Sequence, residues 1–550
     1  MISGAGFFSG KRREEIWAKP ESCYDVLIIG GGITGAGIFL DAVLNQLDVL
    51  LLEQNDFASG TSSKSTKLIH GGLRYLKQLE FSLVKEVGRE RAIVYRNAIP
   101  FVRPEPMILP IVEGGSLSKW TCDIALRVYD FLAQVPASER RKMMNSFQAV
   151  QTEPLLSNEK VKGAGYYFEY RTDDARLTIQ NIKSGVQKGG HALSYSKVID
   201  FIYKNGRIEG VKVQNLENGE IKEFHSRVVV NASGPWLDSL RLKDETGFLK
   251  KIIHSKGSHI VVDQKSFPLK QAIYFDMPRD KRMIFAIPRG SVTYIGTTDL
   301  IYNGDLDQLL TKREEVEYLL DAVNTFFDHV NLKLEDVQSS WIGVRPLIEE
   351  LGKSVSEVSR KDEIFISYSG LISIAGGKLT GYRKMAEKLL KPLSKLLGKK
   401  LSTKTLNFKI YGADFVNESA YVDFRRKILD DALELGLPEQ QVLIWVERYG
   451  SDFVQIFEKG VQMHKEEKIE LIFAFFKAEV LYAIQNESVL HLNDFLIRRT
   501  GFLYFQMKEL DIYLSFLAAC FAEFLGWDDI RVQTEIASIH QEQEKLTNFL

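Results

Sequence analysis

Residues 25–53 read Asp-Val-Leu-Ile-Ile-Gly-Gly-Gly-Ile-Thr-Gly-Ala-Gly-Ile-Phe-Leu-Asp-Ala-Val-Leu-Asn-Gln-Leu-Asp-Val-Leu-Leu-Leu-Glu. Asp25 to Ile29 is a β-branched run between turn signals, Ile33 to Leu44 has helical spacing, and Val49 to Leu52 is a second apolar run. The order is strand, helix, strand. Both strands are apolar throughout and do not alternate, as a parallel sheet covered on both faces requires. Gly30, Gly32 and Gly35 fall as G-x-G-x-x-G between the first strand and the helix, and Glu53 ends the second strand. The first glycine permits a tight turn, the second lets backbone N–H groups approach a pyrophosphate, and the third lets helix and strand pack closely. The acid accepts a hydrogen bond from a ribose hydroxyl. The pattern predicts a dinucleotide site, against the alternative of a glycine-rich turn that binds nothing. FAD and NAD both stay open, because the adenosine half of either uses the same turn.

Arg227 to Ala232 and Leu371 to Ala375 are further short apolar runs, ending in Ser233-Gly234-Pro235 and Gly376-Gly377. They fit later strands of the same sheet. Between them, Gly257 to Asp263, Met283 to Pro288 and Val292 to Thr297 are β-rich and separated by turn residues, more like an antiparallel sheet inserted into the first domain. Lys388 to Leu401 holds five lysines and no acid and is interrupted by Pro392 and Gly398, which reads as a boundary and a solvated linker. Beyond about residue 411, apolar residues recur at helical intervals among Glu and Lys.

Composition narrows the class. The 550 residues are 45% hydrophobic and 26% charged, the usage of a folded chain of several domains. Lys and Arg number 71 against 72 Asp and Glu, leaving a net charge of −1 and no electrostatic footprint for nucleic acid. Cys23, Cys122 and Cys520 are odd in number and far apart, which argues for a reducing compartment, packing roles and no metal. No run reaches the 18 apolar residues of a membrane span, and the N-terminal order of apolar and basic residues is the reverse of a signal peptide's. A cytoplasmic chain with a loose N-terminal tail is expected.

Several blocks then occur in a telling order. They are Ile28-Ile-Gly-Gly-Gly-Ile-Thr-Gly-Ala-Gly37, Thr61-Ser-Ser63, Lys67-Leu-Ile-His-Gly-Gly-Leu-Arg-Tyr-Leu76, Asp173-Asp-Ala-Arg-Leu177 and Asn231-Ala-Ser-Gly-Pro-Trp236. Lys256-Gly-Ser-His259, Ile295-Gly-Thr-Thr-Asp299, Gly343-Val-Arg-Pro346 and Gly376-Gly-Lys-Leu-Thr-Gly-Tyr-Arg383 follow. In this order the chain resembles the FAD-dependent glycerol-3-phosphate dehydrogenases over roughly residues 24–390. The C-terminal part is similar only in position and texture. The resemblance implies an α/β fold of the D-amino-acid-oxidase kind, with a Rossmann-like FAD-binding domain over 23–110, 165–240 and 350–390. An antiparallel-sheet substrate domain would occupy 111–164 and 241–349 and an α-helical domain 391–550, with the tail at 1–22. It further implies oxidation of sn-glycerol 3-phosphate to dihydroxyacetone phosphate by hydride transfer from C2 to flavin N5, with electrons leaving to a quinone.

That chemistry needs a cationic phosphate cradle, a proton acceptor for the C2 hydroxyl, and positive potential beside the flavin pyrimidine edge. Arg345 and Arg74 are the phosphate candidates, since a guanidinium fork matches two phosphate oxygens; the plainer fate of Arg345 is an ion pair inside the sheet. His70 is the first candidate base and His259 the competitor, because an imidazole titrates near neutral pH. Lys256 would polarise the hydroxyl or hold the phosphate, unless it is a solvated loop lysine. Gly376, Gly377, Lys378, Leu379 and Thr380 would face the flavin with N–H groups, a helix dipole and a cation. Thr61, Ser62 and Ser63 would donate to the pyrophosphate or flavin edge, or else cap a helix. Gly234 would allow a second close backbone approach to FAD.

Three rivals share the sequence. A glycerol-phosphate oxidase would use oxygen and release hydrogen peroxide, an oxidase of 2-hydroxy or amino acids would offer Arg345 to a carboxylate, and a flavin-binding sensor would have no use for a cationic pocket. A quinone partner implies peripheral attachment at the cytoplasmic face of the inner membrane. Trp120, Ile124, Val128, Phe131 and Leu132 form one helical stripe within Ser116 to Val135, for which core packing is the expectation. The C-terminal helices are candidates for closing the site, for pairing two copies as a homodimer, or for touching lipid.

Overall fold

The computed structural model describes residues 6–19, 23–71, 80–115, 118–132, 135–247, 250–277, 279–280, 282–349 and 362–549. Cys23–Ile29 runs through the middle of the first sheet, parallel to Val49–Leu52 on one side and Ile221–Asn231 on the other. His191–Leu193 and Ile372–Ala375 extend the parallel set, while Glu363–Ile366 and the Ser196–Lys204/Arg207–Asn215 hairpin pair antiparallel. The unbroken apolar runs are explained by what covers them. Val26, Ile28, Val49 and Leu51 pack against Phe39, Ala42, Ile179, Ile182 and Leu389 from three helices. Leu27, Ile29, Leu50 and Leu52 pack on the opposite face with Trp17, Phe201 and Val211. Full burial of such side chains stabilises by roughly 1.5–3 kcal/mol each.

The second sheet is built from Val102–Val112, Val161–Thr172, Ile252–Asp263, Ala272–Asp276, Met283–Arg289, Val292–Gly296 and Val337–Ile348, with three shorter strands. Its pairings are antiparallel except between Val102–Val112 and Ala272–Asp276. Val102–Val112 and Val161–Thr172 lie wholly in this sheet, although the sequence reading divided the chain at 110 and 165. Nothing in their local pattern marks which sheet they join.

Two expectations are corrected. The tail is not loose from residue 10 on: Gly10–Ala18 is a helix whose Ile16 and Trp17 are buried. Arg13 donates to the Ser194 carbonyl at 2.9 Å and to Asn215 Oδ1 at 2.6 Å. The helix is too polar to stand alone and is held by partners some 180 residues away. The Lys388 segment is not a solvated linker either. It belongs to the Tyr382–Leu397 helix, which runs through Pro392, buries Leu389, Leu393 and Leu397 against the first sheet, and ends at Gly398 with φ of +65°.

From Glu418 onward the described chain is helical. These helices share a core with the second sheet, where Trp341 and Tyr294 meet Tyr504 and Phe505. Cys122 and Cys520 are buried packing residues and Cys23 is exposed.

Candidate active site

The carboxyl ends of Cys23–Ile29, Val49–Leu52, Ile221–Asn231 and Ile372–Ala375 open into a cavity of about 800 Å³. That is where an open parallel sheet places its crevice. Gly30 turns with φ of +112°, and its N–H donates to the Leu52 carbonyl at 2.8 Å. A Cβ on Gly35 would fall 1.9 Å from the Gly30 carbonyl oxygen, so only glycine lets helix and turn meet. Glu53 Oε2 accepts the Gly31 N–H at 2.7 Å and Oε1 accepts the Asn55 N–H at 3.0 Å. Burial raises the Glu53 carboxyl above its ordinary range, against those hydrogen bonds. Ser62 Oγ accepts the Ile33 N–H at 2.9 Å, capping the first turn of the Ile33–Leu44 helix. Gly32 and Gly234 line the same space, Gly234 with φ of +59° and room around it.

The loop after Glu53 is fixed from outside. Asp174, fully buried, accepts from the Ser65 N–H at 2.9 Å, the Ser65 hydroxyl at 2.6 Å and Lys67 Nζ at 2.6 Å. This gives the Asp173–Leu177 block a physical reason. Thr61 Oγ1 donates to the Val344 carbonyl at 2.5 Å, tying the loop to the second sheet. Ser63 is turned inward, 1% exposed and outside the cavity lining, so it is a packing residue and not the donor expected of it.

The opposite wall follows strand alternation. On Ile252–Asp263 the odd residues Gly257 and His259 face the cavity, and on Val337–Ile348 Gly343 and Arg345 do. Arg345 lies 3.3 Å from Asp299 and 3.5 Å from Ser255 Oγ, and both it and Asp299 line the cavity. The plainer reading of Arg345 is therefore met in part: it is ion-paired, and it also borders the space. Lys256 points to the other face. Its Nζ binds Glu315 Oε2 at 2.7 Å and the Leu310 carbonyl at 2.9 Å, and it is 4% exposed, so the expectation of a substrate-contacting Lys256 is corrected. One step along a strand reverses a side chain, and the Lys-Gly-Ser-His spacing puts the lysine and the histidine on opposite faces.

His259 is 1% exposed, stacked on Trp341 at 4.9 Å between ring centres, with Nε2 2.9 Å from Thr66 Oγ1. Burial, then Arg345 and Lys67, hold its imidazole well below the usual value. His70 borders the cavity and is only partly buried. Its carbonyl accepts the Thr380 hydroxyl at 3.1 Å, which joins it to the Gly376–Thr380 turn. Gly376, Gly377, Lys378, Leu379 and Thr380 all line the cavity, and Lys378 precedes a 3-10 turn at Leu379–Gly381 that opens the Tyr382–Leu397 helix. Arg74 lies outside the described residues.

Sequence reasoning missed several lining residues. Glu169, 2% exposed, accepts from the Tyr129 hydroxyl at 2.9 Å and the Gly71 N–H at 3.2 Å and pairs with Arg91 at 3.3 Å. An acid at an inward position of an alternating strand was the available signal. Lys64, Thr66 and Tyr167 also line the cavity, as does Tyr274, stacked on Phe285 at 4.0 Å. Among the described residues no cluster of His, Cys, Asp or Glu could hold a metal ion.

The turn, its acid and the cavity fit a dinucleotide. Comparison with known proteins agrees. Residues 25–383 match the family of FAD-dependent oxidoreductases, and 403–532 match the C-terminal domain of alpha-glycerophosphate oxidase. Aerobic glycerol-3-phosphate dehydrogenase of Staphylococcus haemolyticus is 45% identical over 510 residues, covering 92% of this chain and 91% of its own. That of Bacillus subtilis is 44% identical over 528 residues, 95% of each. The crystal structure of glycerol-3-phosphate dehydrogenase from Bacillus halodurans complexed with FAD superposes with a TM-score of 0.85 at 37% identity, covering 99% of both chains. The chain is an FAD-dependent oxidoreductase. Within that class it belongs to the aerobic glycerol-3-phosphate dehydrogenases, which oxidise glycerol 3-phosphate to dihydroxyacetone phosphate with FAD.

Proposed function

We propose that this chain takes the substrate phosphate on Arg345, removes the C2 hydroxyl proton with His70, and delivers the electrons to a quinone at a membrane surface. The observation that carries the site is one cavity bordered by Arg345, His70 and the Gly376–Thr380 turn. FAD, when bound, supplies the acceptor for the C2 hydride. Arg345 offers two parallel N–H donors to a dianion, and Asp299 orients its fork. His70 is the more open of the two imidazoles. His259 is shut between Thr66 and Trp341 and shapes the wall. Lys378 and the turn beside it place positive potential where a reduced flavin ring gathers charge.

A second observation favours membrane contact. In the Lys119–Leu132 helix, Cys122, Leu126 and Tyr129 face inward, while Trp120 is 81%, Phe131 82% and Ile124 54% exposed. The expectation that this stripe is core is thereby corrected for those three side chains. An exposed aromatic and aliphatic face beside Lys119 and Arg127 suits the headgroup region of a bilayer. No described helix is long and apolar enough to cross a membrane.

The test is anaerobic addition of sn-glycerol 3-phosphate to the purified flavoprotein, followed by air or a soluble quinone. Bleaching of the flavin band, with rapid recovery only on quinone, is expected. Rapid recovery in air would make the chain an oxidase. Vesicle flotation, with Trp120→Ser and Phe131→Ser as the comparison, tests the surface; flotation unchanged by both substitutions would remove that part of the reading.

A further inference from the structure

The C-terminal helices reach back into the loop that builds the dinucleotide site. Asp56 lies three residues beyond Glu53 and is fully buried. Arg499 takes both of its oxygens, Nη1 to Oδ2 at 2.7 Å and Nη2 to Oδ1 at 2.8 Å, and Arg498 Nε also binds Oδ2. Burial alone would raise the Asp56 carboxyl, but the two guanidiniums override it and hold it below its ordinary range. Arg498 Nη2 continues to Asp494 Oδ1 at 2.8 Å, which also accepts the Tyr195 hydroxyl at 2.6 Å. Arg499 Nη2 donates to the Glu487 carbonyl at 2.8 Å.

Two consecutive arginines converge on one carboxylate, each reaching it with the full length of its side chain. Both belong to Asp494–Arg499, a π-helical segment. Such turns are rare and concentrate at functional sites. The loop they grip is the working one. Tyr195 N–H donates to Asn55 O at 2.9 Å and Ala58 N–H to Gly31 O at 3.1 Å, so the backbone around Asp56 touches the glycine turn directly. Glu53 on one side of Asp56 holds the Gly31 amide, and Ser62 on the other caps the helix. Replacing a buried ion pair with packed apolar side chains is often neutral or stabilising, so global stability alone is a weak reason for this network.

We propose that Arg498 and Arg499 are positioning residues for FAD: through Asp56 the C-terminal domain fixes residues 53–62 and so sets the affinity for the cofactor. This rests on the FAD site alone and is independent of the substrate and the electron acceptor. Linkage requires the reverse as well, so FAD binding tightens the docking of the π-helical segment.

The test uses the full-length chain, freed of FAD and titrated with it while flavin fluorescence is followed. Arg499→Lys keeps the charge but loses the fork, and Arg498→Lys is the milder variant if the first folds poorly. Lys477→Met is the control. It breaks ion pairs to Glu467 and Glu523, both at 2.7 Å, within the C-terminal helices and away from the loop. The expected result is FAD bound about tenfold more weakly in either arginine variant, within the usual range of coupling between sites, and within twofold of the parent in the control. In the parent, FAD should also slow hydrogen exchange at residues 490–500. Unchanged FAD affinity in both arginine variants would overturn the proposal. So would equal weakening in the control, which would reduce the network to a structural one.

Discussion

The Arg345 guanidinium lies against the bare backbone of Gly257: a Cβ on Gly257 would stand 3.0 Å from Arg345 Nη2 and 2.5 Å from the Thr297 hydroxyl. The two residues come from paired strands, where Gly257 is opposite Gly343 and Ser255 opposite Arg345. A side chain at residue 257 would crowd both Arg345 and Thr297.

Gly257→Ala should push Arg345 off the wall without touching the flavin half of the cavity. The expected outcome is a KM for glycerol 3-phosphate raised about tenfold, with bound FAD unchanged by absorbance. Arg345→Ala should cost more, about 10–100-fold in kcat/KM, the range of a hydrogen bond to a charged group. An unchanged KM in both variants would remove Arg345 from the substrate site.

His70→Asn should lower kcat by about 10²–10⁴, the usual contribution of a positioned base, while FAD remains bound. His259→Asn should cost less in the chemical step. The reverse order of the two losses would exchange their roles.

His259 also carries a pH signature. Its folded pKa lies below the ordinary value of about 6.5, so the unfolded chain takes up the proton first as pH falls. Its contribution to stability is complete above about pH 6.5 and is lost on acidification, with a slope approaching about 1.4 kcal/mol per pH unit. Urea unfolding between pH 8 and 5 should show a shallower acid loss in His259→Gln. Identical profiles for the two chains would count against it.

His491 behaves oppositely. It sits between Glu217 at 3.0 Å and Glu535 at 2.8 Å; burial opposes its charge, but the carboxylates win and push it up to about 10. A raised pKa gives stability that is complete below about pH 6.5 and fades as pH climbs toward 10. His491→Gln should lose about 1.5–3 kcal/mol at pH 6 and little at pH 10, as hydrogen bonds to charged groups do. Chemical denaturation at the two pH values reads the difference, and an equal loss at both would sink the argument.

Lys256→Ala leaves Glu315 buried and unpaired, which costs about 3–5 kcal/mol. Lys256→Met with Glu315→Leu should recover most of that. In the double variant KM for glycerol 3-phosphate should stay within twofold of the parent, since Lys256 does not reach the cavity. A large rise in KM there would return Lys256 to the substrate site.

Much of this architecture was legible in the chain. The Gly30 turn, its covered strands and Glu53 were readable because each depends on neighbours within thirty residues. The strands at Arg227 and Leu371 were readable as apolar runs closed by glycine turns. The helix at Gly10 was not, because Arg13 and Trp17 are held by residues far along the chain. The exposed face of Lys119–Leu132 was not either, because two apolar stripes compete on one helix and only packing selects which turns inward.

The sequence by itself determined the cofactor turn and the types of side chain the chemistry draws on, since spacing and backbone freedom are local properties. Only the tertiary structure decided that His259 faces the cavity and Lys256 turns away, and that Asp299 orients Arg345. It alone brought Arg498 and Arg499 onto Asp56. Those relationships rest on which face a strand presents and which distant segments meet, and both are set by the burial of the whole chain at once.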